Sequence, residues 1–99
     1  MDFKQISVQD AKEKISQQGT ILIDIRDPDS YQTSHINEAF HLTNENIQEF
    51  IQNADLGKPV IVYCYHGNSS QSAAQFLSEQ GFEEVYSMMG GFAAWQQQG

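Results

Sequence analysis

Short runs of β-branched and apolar residues recur along the chain, separated by stretches whose apolar positions fall three and four residues apart. The runs predict strands, and the wider spacing predicts helices with one face turned to a core. Phe3 to Ile6 reads as a short edge strand. Ser7 then stands as an N-cap, with Asp10 three residues on in the first turn. Val8, Ala11 and Ile15 make the buried stripe of a first helix that Gly19 ends. Ile21-Leu22-Ile23-Asp24-Ile25 has the near-continuous apolar character of a strand covered on both faces. Asp27 before Pro28 opens a short helix, since proline at the first helical position lacks only an N–H that has no partner there.

Ala39 to Leu42 is a brief apolar stretch. A helix capped by Thr43 or Asn44 follows, with Ile47, Phe50 and Ile51 on one face. After a loop over 53–59, Val60-Ile61-Val62-Tyr63 forms a strand that ends in Cys64. A polar loop with one glycine, Gly67, leads into a helix over 70–80. Ala73, Ala74 and Leu77 form its inner stripe, with Phe76 beside it. Gly81 supplies the left-handed stop. Val85 to Met88 is the last strand, Gly90-Gly91 a tight turn, and Phe92, Ala93 and Trp95 open a final helix. Strands alternate with helices throughout, which predicts an α/β sandwich with a largely parallel sheet, one domain over residues 1–99.

In such a sheet, functional loops lie at the carboxyl ends of the strands. The helix after Cys64 aims unpaired N–H groups and its positive dipole end at the loop. A thiol there is poised to ionise, and the loop is suited to an anion. A lone cysteine is more often a small buried hydrophobe, but its place at a strand end favours a reactive thiol. With only one cysteine there is no internal disulfide.

Composition narrows the classes. A net charge of −8 with a single arginine, Arg26, argues against nucleic acid or an anionic membrane as partner. The longest apolar runs are too short to span a bilayer. The first residues lack a signal peptide's apolar core, so a cytoplasmic location is expected. His35 and His41 are candidates for acid–base work, but no His, Cys and carboxylate spacing matches a zinc site. Buried, hydrogen-bonded histidines are the expectation, with no metal. Asp24 and Arg26 point to one side of an extended chain. They form either a local ion pair at the strand's exit, the favoured reading, or a pair facing the cysteine loop.

Three motifs together resemble the rhodanese family, most closely its single-domain GlpE-type thiosulfate sulfurtransferases. They are Asp24-Ile25-Arg26-Asp27 with Ser34-His35-Ile36 and Ala39, then Cys64-Tyr65-His66-Gly67-Asn68-Ser69-Ser70, then Gly90-Gly91-Phe92-Ala93-Ala94-Trp95. The resemblance implies a five-stranded, mostly parallel sheet flanked by helices. It also implies a cofactor-free enzyme that moves sulfur from thiosulfate to cyanide, a thiol or a thioredoxin-like dithiol protein through a Cys64 persulfide. Amides of residues 65 to 70 would cradle the sulfur, with Gly67 allowing the curl and Ser69 and Ser70 adding hydroxyls and capping the helix. Tyr65, His66 and Asn68 would line the mouth. Two departures stand out: Glu38 replaces a common glycine, and Ser69 stands where many relatives carry arginine. The rivals are a non-catalytic rhodanese-like binding module and a cysteine phosphatase or arsenate reductase. The phosphatase loop needs an arginine six residues after the cysteine, where this chain has Ser70.

Overall fold

The computed structural model describes residues 3–17 and 19–98. Strands β1 (Lys4–Ile6), β2 (Ile21–Asp24), β3 (Phe40–His41), β4 (Val60–Tyr63) and β5 (Val85–Met88) form a five-stranded sheet in the order β1-β5-β4-β2-β3. Every pairing is parallel, so the carboxyl ends share one edge. The helices are α1 (Val8–Ser16), α2 (Pro28–Thr33), α3 (Ile47–Asn53), α4 (Ser69–Glu79) and α5 (Gly91–Gln97). None of them is long and apolar enough to cross a membrane.

Alternation along β4 divides the core in two. Ile61 and Tyr63 join Leu22 and Met88, Val8 and Ala11 of α1 and Phe92 of α5. Val60 and Val62 join Ile23, Leu42 and Phe82, with Ala74 and Leu77 of α4. Ile47, Phe50 and Ile51 of α3 pack against this second cluster. All four β4 residues are buried. At roughly 1.5–3 kcal/mol for each fully buried aliphatic side chain, β4 is firmly anchored, and it is the strand that ends in the cysteine.

Local signals act mostly as expected. Ser7 Oγ accepts the Asp10 N–H at 3.0 Å, and Asp27 accepts the Ser30 N–H at 3.1 Å with Pro28 opening α2. Gly81 follows α4 with φ +110°.

Other details differ. α1 stops at Ser16, ahead of Gly19: Gln17 turns to an extended backbone, and hydroxyls satisfy the last carbonyls, Ser16 Oγ donating to Glu13 O at 2.6 Å and Thr20 Oγ1 to Lys14 O at 2.9 Å. α3 begins after Asn46, not at Thr43 or Asn44. The Asn46 side chain closes the preceding turn, accepting the Thr43 N–H at 2.8 Å and donating to His41 O at 3.0 Å. α4 turns Ser70, Ala74, Leu77 and Ser78 inward, leaving Ala73 half-buried and Phe76 exposed. Glu38 is the one non-glycine with positive φ (72°) among the described residues, so the departure from glycine falls at a backbone position that glycine fits better.

Candidate active site

β4 delivers Cys64 to the carboxyl edge, and the chain turns through 65–68 into α4. The thiol is free and only 7% exposed. Its Sγ accepts N–H groups from Gly67 at 3.1 Å and Ser70 at 3.3 Å, and lies 3.5 Å from Ser70 Oγ. Gly67 curls the loop with φ +95°. Burial, the largest single influence, pushes the thiol up. The Ser70 hydroxyl and the N–H groups of Ser70, Gly67 and His66 outweigh it, so the net shift is below the ordinary thiol value.

The Gly90-Gly91 pair does more than turn the chain. From α5, the N–H of Phe92 donates to Cys64 O at 2.8 Å and that of Ala93 to Tyr65 O at 3.0 Å. This approach needs glycine. Gly91 has φ +61°, and a Cβ there would meet Cys64 O at 2.5 Å and Tyr65 O at 2.6 Å. Gly91→Ala is therefore expected to destabilise the fold by about 2 kcal/mol or more and to slow iodoacetamide alkylation of Cys64. Thermal melts and alkylation rates check this; a variant matching the parent in both would show that the loop tolerates a displaced α5.

The loop's other residues divide by exposure. Tyr65, His66, Asn68 and Ser69 are exposed, whereas Gly67 and Ser70 are buried. The helix cap is Asn68, acting without a side-chain bond. Capping by the Ser69 and Ser70 side chains is thus corrected: Ser70 Oγ is turned inward to Sγ and to Ser87 Oγ, 2.7 Å away. Ser87, buried in β5 opposite Val62, is a site residue that the sequence pattern does not mark. Its only signal was a small polar residue inside a strand expected to be buried.

Asp24 and Arg26 form a buried ion pair with Nη2–Oδ2 at 2.8 Å. The Arg26 Nη2 also donates to Ser34 O at 2.6 Å. The guanidinium stacks on Phe92, its Cζ 4.1 Å from the ring centroid. It is therefore engaged beside the loop and unavailable as a loop clamp. His35 and His41 both stack on Tyr31, at 3.9 and 4.4 Å between centroids. They are hydrogen-bonded to Tyr31 O and Arg26 O, but neither is buried as expected: His35 is exposed and His41 half-buried. Stacking on a shared ring orders them without a core site. Among the described residues no group of three or more His, Cys, Asp or Glu side chains could hold a metal. A cavity of about 870 Å³ opens between Ile25, Leu42, Ile47, Ala73 and Phe76. A smaller one of about 290 Å³ lies between Arg26, Ser34, Tyr65 and Phe92.

A cysteine at a parallel strand's end, held in amides that α5 braces, occurs here together with a match of residues 7–98 to the rhodanese-like domain family. The chain belongs to that family. A rhodanese-related protein from Thermoplasma volcanium is 27% identical, with a TM-score of 0.82 over 98% of this chain and 94% of that one. The rhodanese-like domain of an Anabaena protein is 24% identical with a TM-score of 0.85, over 96% and 74% of the two chains, and speaks for the fold alone. A protein of unknown function and possible tyrosine phosphatase from Rhodopseudomonas palustris is 25% identical, with a TM-score of 0.82 over 97% and 81%. The rhodanese-like domain described here thus shares its architecture with rhodanese-related proteins and with one whose description names a possible phosphatase.

Proposed function

We propose that this rhodanese-like domain is a thiosulfate sulfurtransferase working through a persulfide on Cys64. The observation that carries the reading is the set of groups on Sγ: two donating amides and a Ser70 hydroxyl 3.5 Å away that can turn its proton to an anionic sulfur. The thiolate attacks the outer sulfur of thiosulfate. The S–S bond of thiosulfate breaks, its electron pair leaves with sulfite, and a new S–S bond forms on Cys64. A thiol or cyanide then attacks the outer persulfide sulfur, and the pair of the breaking bond returns to Cys64 as thiolate. Two easy displacements replace one difficult transfer, with ping-pong kinetics. Incubation with thiosulfate followed by intact-mass measurement tests this. One added sulfur atom, removed by dithiothreitol, is expected; an unchanged mass overturns it.

The Rhodopseudomonas neighbour gives the phosphatase reading a specific basis. Against it, the sixth residue after Cys64 is a buried serine, and the one arginine is tied to Asp24. Phosphoryl oxygens would lack the bidentate clamp that such chemistry relies on. A non-catalytic role fits poorly with a thiol whose donors lower its pKa.

Substrate capture should be weak. No charged residue lies between Lys58 and Glu79, and Ser69 carries none to a dianion approaching an acidic protein. The KM for thiosulfate is expected above the roughly 1 μM to 1 mM range of most enzymes. Ser69 is exposed at the first turn of α4, so Ser69→Arg adds a cation without disturbing the core. It is expected to lower KM roughly tenfold, equivalent to about 1.4 kcal/mol, with a smaller change in kcat. Raised salt should then harm the variant more than the parent. Steady-state kinetics at two ionic strengths check this, and an unchanged KM would count against anion binding at that position.

A further inference from the structure

We propose that Ser87 is a positioning residue that fixes the direction of the Ser70 hydroxyl toward Cys64. Three buried groups stand in a line and share their protons. Sγ of Cys64 lies 3.5 Å from Ser70 Oγ, which lies 2.7 Å from Ser87 Oγ. Ser70 and Ser87 are 0% and 1% exposed, so bulk water does not compete for either hydroxyl. Each hydroxyl has one proton to give.

When Cys64 is a thiolate, Ser70 spends its proton on sulfur. The short Ser70–Ser87 bond then needs Ser87 as its donor. When Cys64 is a thiol, its S–H points to Ser70 Oγ and the Ser70 proton turns to Ser87. On ionisation the cysteine proton goes to bulk water, no serine changes its own protonation, and both hydroxyls reverse direction. Ser87 thereby stabilises the thiolate without touching it, by donating to Ser70 Oγ and so orienting and polarising the hydroxyl that Ser70 gives to sulfur. Such a chain strengthens each bond in a low-dielectric site.

The position follows from register. Ser87 pairs with Val62, two residues before Cys64, in the parallel β4–β5 ladder. Ser70 opens the buried face of α4 above it. Tyr65 and His66 in the loop, Tyr63 at the end of β4 and the Asp24–Arg26 pair at the exit of β2 are the titratable groups around the cradle. α4 brings none before Glu79. β5 brings only Tyr86, whose hydroxyl is bonded to Glu84.

The inference rests on the reading of Cys64 as the nucleophile, and its test reads ionisation whether or not sulfur is transferred. The rate of iodoacetamide alkylation is measured against pH for the parent, Ser87→Ala, Ser70→Ala and the double variant. Ser87→Ala is expected to raise the midpoint by about half a unit, the scale of one modest hydrogen bond. In the Ser70→Ala background the same change should add nothing, because the effect travels through Ser70. Ser87→Thr and Ser87→Val, alike in shape, supply a second comparison: the threonine profile should follow the parent and the valine profile should shift. An unshifted Ser87→Ala profile, equal shifts in both backgrounds, or matching threonine and valine profiles would each overturn the proposal. Loss of sulfur loading with the midpoint pattern intact would instead overturn the sulfurtransferase reading alone.

Discussion

Cys64→Ser is expected to abolish sulfur loading from thiosulfate while leaving the fold in place. The hydroxyl would sit among the same donors, Gly67 N, Ser70 N and Ser70 Oγ. Those donors favour an anion, but a serine hydroxyl stays protonated and its oxygen does not form a persulfide. Because Cys64 is the only cysteine, no second thiol rescues the transfer. The stability cost is small, since one sulfur is exchanged for a smaller oxygen in a polar cradle; about 1 kcal/mol corresponds to roughly 4–8 °C in a domain of this size. Intact-mass measurement and cyanide-dependent thiocyanate formation read the first effect, and a thermal melt reads the second. Sulfur retained on the variant would show that the covalent route does not pass through Cys64. A collapsed melt would show that the thiol holds the loop together, which the amide geometry does not require.

What could be read from sequence was what local chemistry decides. Ser7 and Asp27 cap helices because the bonds they make span three residues. β4 and β5 coincide with their apolar runs, and Cys64 falls at the carboxyl edge because a strand precedes it and a helix follows. The misses come from contacts between residues distant in sequence. Gly90-Gly91 reads locally as a turn, yet its backbone closes on the carbonyls of Cys64 and Tyr65. Ser87 gains its place from the β4–β5 register and the burial of Ser70, neither of which a strand pattern displays. The α3 cap falls at Asn46 for a related reason. Asn46 spends its side chain on Thr43 and on the carbonyl of His41, so the first plausible cap residue was not the one used. Ser69 and Ser70 are adjacent and chemically alike, and only the helix phase decides that Ser70 faces sulfur while Ser69 faces solvent.

The same separation explains how an acidic chain can carry an anion site. Between Lys58 and Glu79, and again after Glu84, the sequence holds no charged residue. These segments supply β4, the cysteine loop, most of α4, β5 and α5. The acidic groups thus lie in other segments; Asp24, in register with Tyr63, is neutralised by Arg26, and the repulsion of exposed acids fades beyond roughly 8–10 Å at ordinary ionic strength. Backbone amides at the thiol are closer than that, so the local field governs ionisation while the global field acts on encounter.

Asp24→Ala is expected to be the most destabilising single change, by about 3–5 kcal/mol. Asp24 is 0% exposed and Arg26 8%. Both carboxylate oxygens are used: Oδ1 accepts the Arg26 backbone N–H at 2.7 Å, and Oδ2 accepts Nη2 at 2.8 Å. Arg26 keeps its charge at any accessible pH, so removing Asp24 leaves a cation that burial disfavours, its Nη2 held by Ser34 O in place of a carboxylate. That cation lies over Phe92 and near Tyr63, and the neighbour of Phe92, Gly91, abuts the cysteine loop. Displacing the guanidinium therefore loosens both the β2 exit and the brace under Cys64. A fall of roughly 12 °C or more in melting temperature follows for a domain of this size. Replacing both partners separates the net worth of the pair from the cost of orphaning one. Asp24→Leu with Arg26→Met should recover most of the loss, because an apolar pair of similar volume has no charge to desolvate. Thermal melts of the single and double variants decide the matter. An Asp24→Ala variant melting within a few degrees of the parent would mean that water reaches Arg26, and that the pair is not the strut its burial implies.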